Sequence, residues 1–249
     1  MKIEKEVSKN YDILAESYHE MRTKKYPQGW FYNEMLEMPA TLELLGNVKG
    51  KKILDFGCGT GIYAKILTKK RAKVKGFDIS REMIKIAKQE NPNLDLRVSS
   101  GNKIPFDEKF DIVLASLVVH YIKDWNRMFK QIKRVLKKNG IFVFSTGNPV
   151  VETTEKIKIK GRKVRVLGDY FTERKYYANW KPHDRKIIVK MPAYHLRYET
   201  IIKTIIRNGF EIIDYKDAFP IRKAKKLFPE DYEFCSKIPF FTVWKVKLK

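Results

Sequence analysis

The stretch Lys52-Ile53-Leu54-Asp55-Phe56-Gly57-Cys58-Gly59-Thr60-Gly61 constrains this chain more than any other. A short apolar run reads as a strand, breaks into three glycines at alternate positions, and passes into a helix over residues 60–70. Glycines so spaced let the backbone turn sharply at Gly57 and approach a ligand at Gly59 and Gly61 without a Cβ in the way. The pattern alone also suits a dinucleotide site. The next strand narrows the reading. Lys73 to Asp78 ends on an acidic residue 21 positions after Gly57, where a carboxylate accepts hydrogen bonds from ribose hydroxyls.

The same strand and helix rhythm continues downstream. Ser80 caps a helix carrying Met83, Ile84 and Ala87, Leu94 to Val98 reads as a third strand, and Phe110 to Ser116 as a fourth. The fourth is a near-continuous apolar run, as in a strand buried on both faces. Asp124 then caps a helix whose apolar positions, Trp125, Met128, Phe129, Ile132, Val135 and Leu136, form one stripe of a 3.6-residue period. Asn139-Gly140 ends it before a fifth strand, Ile141 to Ser145. Helices at 3–22 and 30–45, with a Pro-Gln-Gly turn at 27–29, precede the alternation. A helix at 197–208, a strand at 210–215 and a final strand at 240–248 follow it. The pattern predicts an α/β fold, a doubly wound, Rossmann-like and mostly parallel seven-stranded sheet. Its parts are an N-terminal helical cap (1–48), a cofactor-binding core (49–149), an inserted segment (150–195) and the C-terminal part of the core (196–249). An insertion after the fifth strand lies over the carboxyl edge of an open sheet, so 150–195 reads as a lid over the ligand.

At 249 residues, 43% hydrophobic and 33% charged, the chain has a globular composition. It has no apolar run long enough to span a membrane and no secretory signal. Its two cysteines, Cys58 and Cys235, make neither a disulfide framework nor a zinc motif. These features point to a cytoplasmic protein without a metal. The net charge of +23 is the extreme of the composition. It is spread along the chain, with one local excess: residues 156–190 hold twelve Lys and Arg against Asp169, Glu173 and Asp184.

Ile53 to Gly61 resembles the first signature motif of class I S-adenosylmethionine-dependent methyltransferases, and Gly76-Phe77-Asp78-Ile79-Ser80 resembles the second. The acidic residue just before the first glycine, here Asp55, separates these enzymes from most dinucleotide-binding proteins. The resemblance implies S-adenosyl-L-methionine as cofactor. Gly57, Cys58 and Gly59 would cradle its methionine moiety and Asp78 its ribose, with Ile79 and Met83 as an apolar wall for the adenine. Ser99 to Phe106 resembles the adenine-binding stretch, implicating Ser100, Gly101 and Asn102. Relatives usually carry an Asp where this chain has Ser100, and Asn102 is an alternative acceptor. Ser116 ends the fourth strand at the site. Tyr11 to Arg22 resembles a helix that covers the cofactor in relatives, with Tyr11, Tyr18 and Arg22 near the methionine carboxylate.

Ser116 to Asp124 resembles a bacterial and archaeal group with a Ser-Leu-x-x-His-Tyr motif and mostly unassigned small-molecule substrates. That group carries a His where this chain has Asn148. His120, just past the fourth strand, is the first candidate for a catalytic base, and His195, at the end of the insertion, is the second. His183, beside Lys181 and Asp184, reads as a surface loop. A small-molecule methyl acceptor is favoured, in a monomer or homodimer, with transfer to N or O. An RNA acceptor is the alternative, resting on the charge and the basic, aromatic insertion.

Overall fold

The structure, a computed structural model, describes residues 2–24, 30–159, 162–181 and 188–249. At its centre Phe110–Ala115 forms β4, buried on nearly every residue as its apolar run requires. Around it lie β1 (Lys52–Phe56), β2 (Lys73–Asp78), β3 (Asp95–Val98), β5 (Leu136–Gly147), β10 (Phe210–Asp217) and β11 (Phe241–Leu248). Among the described residues these seven form one sheet in the order β10-β11-β5-β4-β1-β2-β3. β1 to β5 pair in parallel, whereas β11 runs antiparallel to both β5 and β10. This is the expected doubly wound, mostly parallel sheet. The strand order reverses between β1 and β4, so the loops leaving their carboxyl ends diverge and open a crevice.

Helices cover both faces: α1 (Lys2–Thr23), α2 (Met38–Leu45), α3 (Ile62–Lys69), α4 (Arg81–Glu90), α5 (Trp125–Val135) and α7 (Tyr198–Arg207), with a short α6 (Pro149–Glu152) between the last two. Successive strand residues face opposite layers. Ile53, Leu114 and Val143 join a core with Leu36, Leu44 and Leu67. Leu54, Val113 and Phe144 join the other, with Phe129, Ile132 and Ile205. The Ser80 hydroxyl accepts from the Met83 N–H at 3.1 Å, and the Asp124 carboxylate from the Arg127 N–H at 3.0 Å, so both expected caps form.

Some boundaries differ. The helix read over 30–45 is two elements, a π-helix at Phe31–Glu37 running into α2. Pro39 has no N–H to offer the Met35 carbonyl four residues back, which accepts from the Ile221 N–H at 2.9 Å instead. α5 stops at Val135, and Leu136 opens β5 opposite Phe110 instead of completing the helical stripe. Two helices not anticipated from the sequence, α8 (Ala224–Leu227) and α9 (Pro229–Cys235), link β10 to β11. Between β5 and α7 stand α6 and two antiparallel hairpins, β6 (Thr154–Ile159) with β7 (Arg162–Leu167), and β8 (Arg174–Trp180) with β9 (Val189–His195). The turn at 27–29 and the loop around His183 lie outside the described residues.

Candidate active site

The crevice is built from the glycine loop upward. Gly57 has φ +73°, and a Cβ there would meet a methyl of Val118 at 2.6 Å. Its N–H and that of Cys58 both donate to the Phe77 carbonyl, at 2.8 and 3.0 Å, which folds the loop back onto β2. Gly59 has φ +52°, and nothing lies within 4 Å of where its Cβ would stand. A left-handed glycine facing empty space leaves room for a ligand against bare backbone.

The Asp78 carboxylate accepts the Gly59 N–H on Oδ2 and the Ser80 N–H on Oδ1, both at 2.9 Å. Each oxygen keeps a lone pair for a ligand hydroxyl. Burial pushes Asp78 up to about 6 against the pull of these N–H donors. Asp55 lies deeper, and burial followed by the neighbouring Asp78 charge raises it to about 7.

A cavity of about 1010 Å³ spreads from here across the carboxyl edge of the sheet. Gly57, Gly59, Asp78, Ile79, Met83, Gly101, Asn102, Ser116, Tyr11, Tyr18 and His120 all line it, so the structure brings together most of the expected site residues. The Oδ1 of Asn102 is buried there with no hydrogen-bond partner among the described residues, while its Nδ2 donates to Glu4 at 2.6 Å.

Five expected residues stand outside the lining. Arg22 is committed to Glu34, with Nε donating at 2.8 Å, and to the Tyr18 hydroxyl, so its charge is already compensated. Asp55 is buried beneath the loop, and the Cys58 side chain packs among Ile84, Ala87 and Leu96 on its underside. Ser100 gives way to its neighbours Gly101 and Asn102. His195 is only 1% exposed. Its Nε2 meets the Tyr170 carbonyl at 2.9 Å, and its Nδ1 lies 3.5 Å from Glu152. Burial alone would lower its pKa, but Glu152 and that carbonyl outweigh it and hold the ring above its ordinary value. This histidine ties the insertion to α6 and does not face the cavity.

His120 does face it, in a single 3-10 turn, Val119–Tyr121, just beyond β4. Burial lowers its pKa to about 4, and its Nδ1 has no hydrogen-bond partner among the described residues. At neutral pH it is therefore an uncharged imidazole with a lone pair for a hydrogen-bond donor.

α1 covers the side of the cavity that holds Asp78 and Ile79. Ser8 donates to the Ile79 carbonyl at 3.0 Å, Asp12 accepts from the Ser80 hydroxyl at 2.6 Å, and the Tyr11 hydroxyl donates to that of Tyr121 at 2.9 Å. Trp180, at the end of β8, sets its ring about Tyr11 and Tyr18, with centroids 6.2 Å from each.

The sequence reading missed Glu37. It is fully buried and collects hydroxyl donors from Thr41 (2.7 Å), Tyr63 (2.9 Å), Ser116 (3.0 Å) and Ser145 (2.5 Å). Ser145 in turn accepts the Leu117 N–H at 2.9 Å. The carboxylate thus pins the ends of β4 and β5 under the cavity. Its only signal was a Glu set between Leu36 and Met38, one of three glutamates, with Glu34 and Glu43, in the stretch 30–45.

An acidic group for ribose hydroxyls, an apolar wall, an unsatisfied amide oxygen and open backbone suit an adenosyl cofactor. Comparisons with known proteins agree. Residues 54–144 match a family described as a methyltransferase domain. An uncharacterized protein of Haemophilus influenzae is 30% identical over 220 residues, covering 81% of this chain and 82% of its own. The demethylmenaquinone methyltransferase of Chlorobaculum parvum is 33% identical over 170 residues, 66% of this chain and 67% of its own. The crystal structure of an S-adenosylmethionine-dependent methyltransferase from Mesorhizobium loti superposes with a TM-score of 0.69 at 27% identity, covering 85% of this chain and 97% of that one. With S-adenosylmethionine as its cofactor, the chain belongs to the class I S-adenosylmethionine-dependent methyltransferases.

Proposed function

We propose that this enzyme transfers the methyl group to a nitrogen or oxygen atom of a small molecule. One observation carries the reading: the cavity continues past the cofactor residues into a pocket roofed by α1 and the end of β8. Its size, about 1010 Å³, stands at the top of the ~300–1,000 Å³ usual for small-ligand sites. It has room for the cofactor and a compact second ligand.

S-adenosylmethionine supplies a methyl group already activated on a sulfonium, so the chain has mainly to bind, align and exclude water. In this reading Asp78 holds the ribose, Gly57 and Gly59 admit the methionyl chain, and Ile79 and Met83 flank the adenine. The Asn102 Oδ1 accepts from the adenine amino group. His120, uncharged at neutral pH, takes the acceptor's proton or orients its lone pair. Tyr11 and Tyr18 close the pocket, and residues 150–195 act as its cover.

The test is a labelled-methyl assay against a small-metabolite pool and total tRNA. The expected result is incorporation into the metabolite pool alone. With the acceptor so found, His120→Gln should lower kcat by about 10²–10⁴, the range of general-base catalysis. Affinity for S-adenosylhomocysteine should stay as in wild type. Methyl incorporation into one tRNA nucleotide, lost when Lys158, Lys160, Arg162 and Lys163 are neutralised, would replace this reading with the RNA one.

A further inference from the structure

Among the described cations on the cavity lining, Arg165 alone is half-buried. Arg165, on β7, reaches the cavity where Tyr32, Asp231, Phe240 and Phe241 also line it. Phe240 and Phe241 sit at the start of β11, and Arg165 belongs to the insertion that follows β5. Asp78 ends β2, and Met83 lies on the helix after it. In the strand order, three strands (β1, β4 and β5) separate β2 from β11. Arg165 therefore marks the acceptor side of the crevice, away from the ribose and adenine residues.

Its surroundings are those of a charge lacking its partner. The guanidinium lies 5.2 Å from the ring centre of Phe234 and 5.5 Å from that of Phe240. Nη1 donates to the Thr154 hydroxyl at 2.6 Å. Nε is buried with no hydrogen-bond partner, and among the described residues no carboxylate comes within ion-pair distance. Asp231 is engaged elsewhere, with Oδ1 accepting from the Tyr32 hydroxyl at 3.4 Å. The other cations on the lining, Lys123, Arg127 and Lys181, are all exposed, and water screens them. A half-buried guanidinium beside two aromatic rings, with only Nη1 engaged by a side chain, has donors left for a planar anion. The rings beside it offer apolar contact to whatever carries that anion.

We propose that the methyl acceptor bears a carboxylate or phosphate on a compact apolar body, and that Arg165 recognises this anion. The inference rests on the small-molecule reading and narrows its substrate class. Arg165 is then a specificity-determining residue that holds the acceptor by its charged end, while the methylated atom lies toward His120.

Binding to the complex with S-adenosylhomocysteine tests it without knowledge of the natural acceptor. Benzoate, phenyl phosphate and benzamide are titrated in turn and followed by protein NMR. Benzoate or phenyl phosphate should bind about tenfold or more tightly than uncharged benzamide, the gain of a charge-assisted over a neutral contact. Arg165→Gln should abolish that preference without changing affinity for S-adenosylhomocysteine. Arg165→Lys, which keeps the charge but not the fork, should retain part of it and guards against a fold defect in the first variant. Equal binding of all three probes, binding of none, or a preference that survives Arg165→Gln would overturn the proposal. Failure of the underlying reading shows separately, as labelled methyl in tRNA and none in the metabolite pool.

Discussion

The Asp78 carboxylate accepts from the backbone of two loops, at Gly59 and Ser80, and in the proposed function it also holds the ribose. Asp78→Ala removes the ribose contact, and affinity for S-adenosylhomocysteine should fall by ~1–3 kcal/mol by calorimetry. The pH dependence is a finer check. Burial raises Asp78 to about 6 in the free protein, and ribose hydroxyls donating to the ionised form would lower it in the complex. Binding should therefore release a proton near pH 6, and affinity should rise as the pH climbs from about 5 to 7. The unliganded protein should show the opposite trend from this group. A carboxyl raised on folding adds stability that is complete below its unfolded pKa near 3.8 and is lost as the pH passes about 6. Asp78→Asn should flatten the Asp78 part of both profiles. Asp78 was legible because a strand end and a distance from the glycines defined it. Arg22 was misplaced because its role depends on Glu34, a residue twelve positions on that pairs with it only once α1 and the π-helix are packed.

At the scale of elements, the π-helix at Phe31–Glu37 has the least obvious task. Its wide turn directs Glu37 to the ends of β4 and β5, where four hydroxyls converge on the carboxylate. Removing the acceptor strands buried donors, each bond to a charged group being worth about 1.5–3 kcal/mol. Glu37→Ala should therefore cost at least ~3 kcal/mol in denaturant unfolding, far more than an ordinary helix substitution. Glu37→Gln, which keeps an acceptor oxygen, should recover part of it. If the alanine variant instead stayed within ~0.5 kcal/mol of wild type, the network would be a packing accident. α1 contributes at the same scale, because its polar side chains reach two separate parts of the site, Ser8 and Asp12 the turn at Ile79–Ser80 and Tyr11 the hydroxyl of Tyr121. Its helical period was readable, but which of its sides would meet the cavity was not.

Across the whole molecule, the proposed cover is α1 with the β8–β9 hairpin, two elements joined by Lys175 to Glu6 at 3.2 Å and by Asn10 to the Lys190 carbonyl at 2.9 Å. Both polar contacts are exposed and individually weak, and beneath them Val7 and Leu14 of α1 pack in one apolar cluster with Val189, Met191 and Ala193 of β9. Amide exchange in α1 and β8–β9 should slow when S-adenosylhomocysteine binds and slow further with the acceptor, while β4 and β5 change little. Uniform exchange across all these states would mean that the cover is a fixed wall. No helix among the described residues is long and apolar enough to cross a membrane. The alternation of strand and helix, the glycine loop, Asp78 and the caps Ser80 and Asp124 were determined by the sequence alone. Each follows from local backbone sterics or from the period of apolar residues along one element. The exclusion of His195 and Cys58 from the cavity, the burial of Glu37 and the placing of Arg165 beside Phe240 were decided only by the tertiary structure. Each is a contact between segments remote in the chain, settled by which side chains could satisfy their charge and hydrogen bonds once the layers closed.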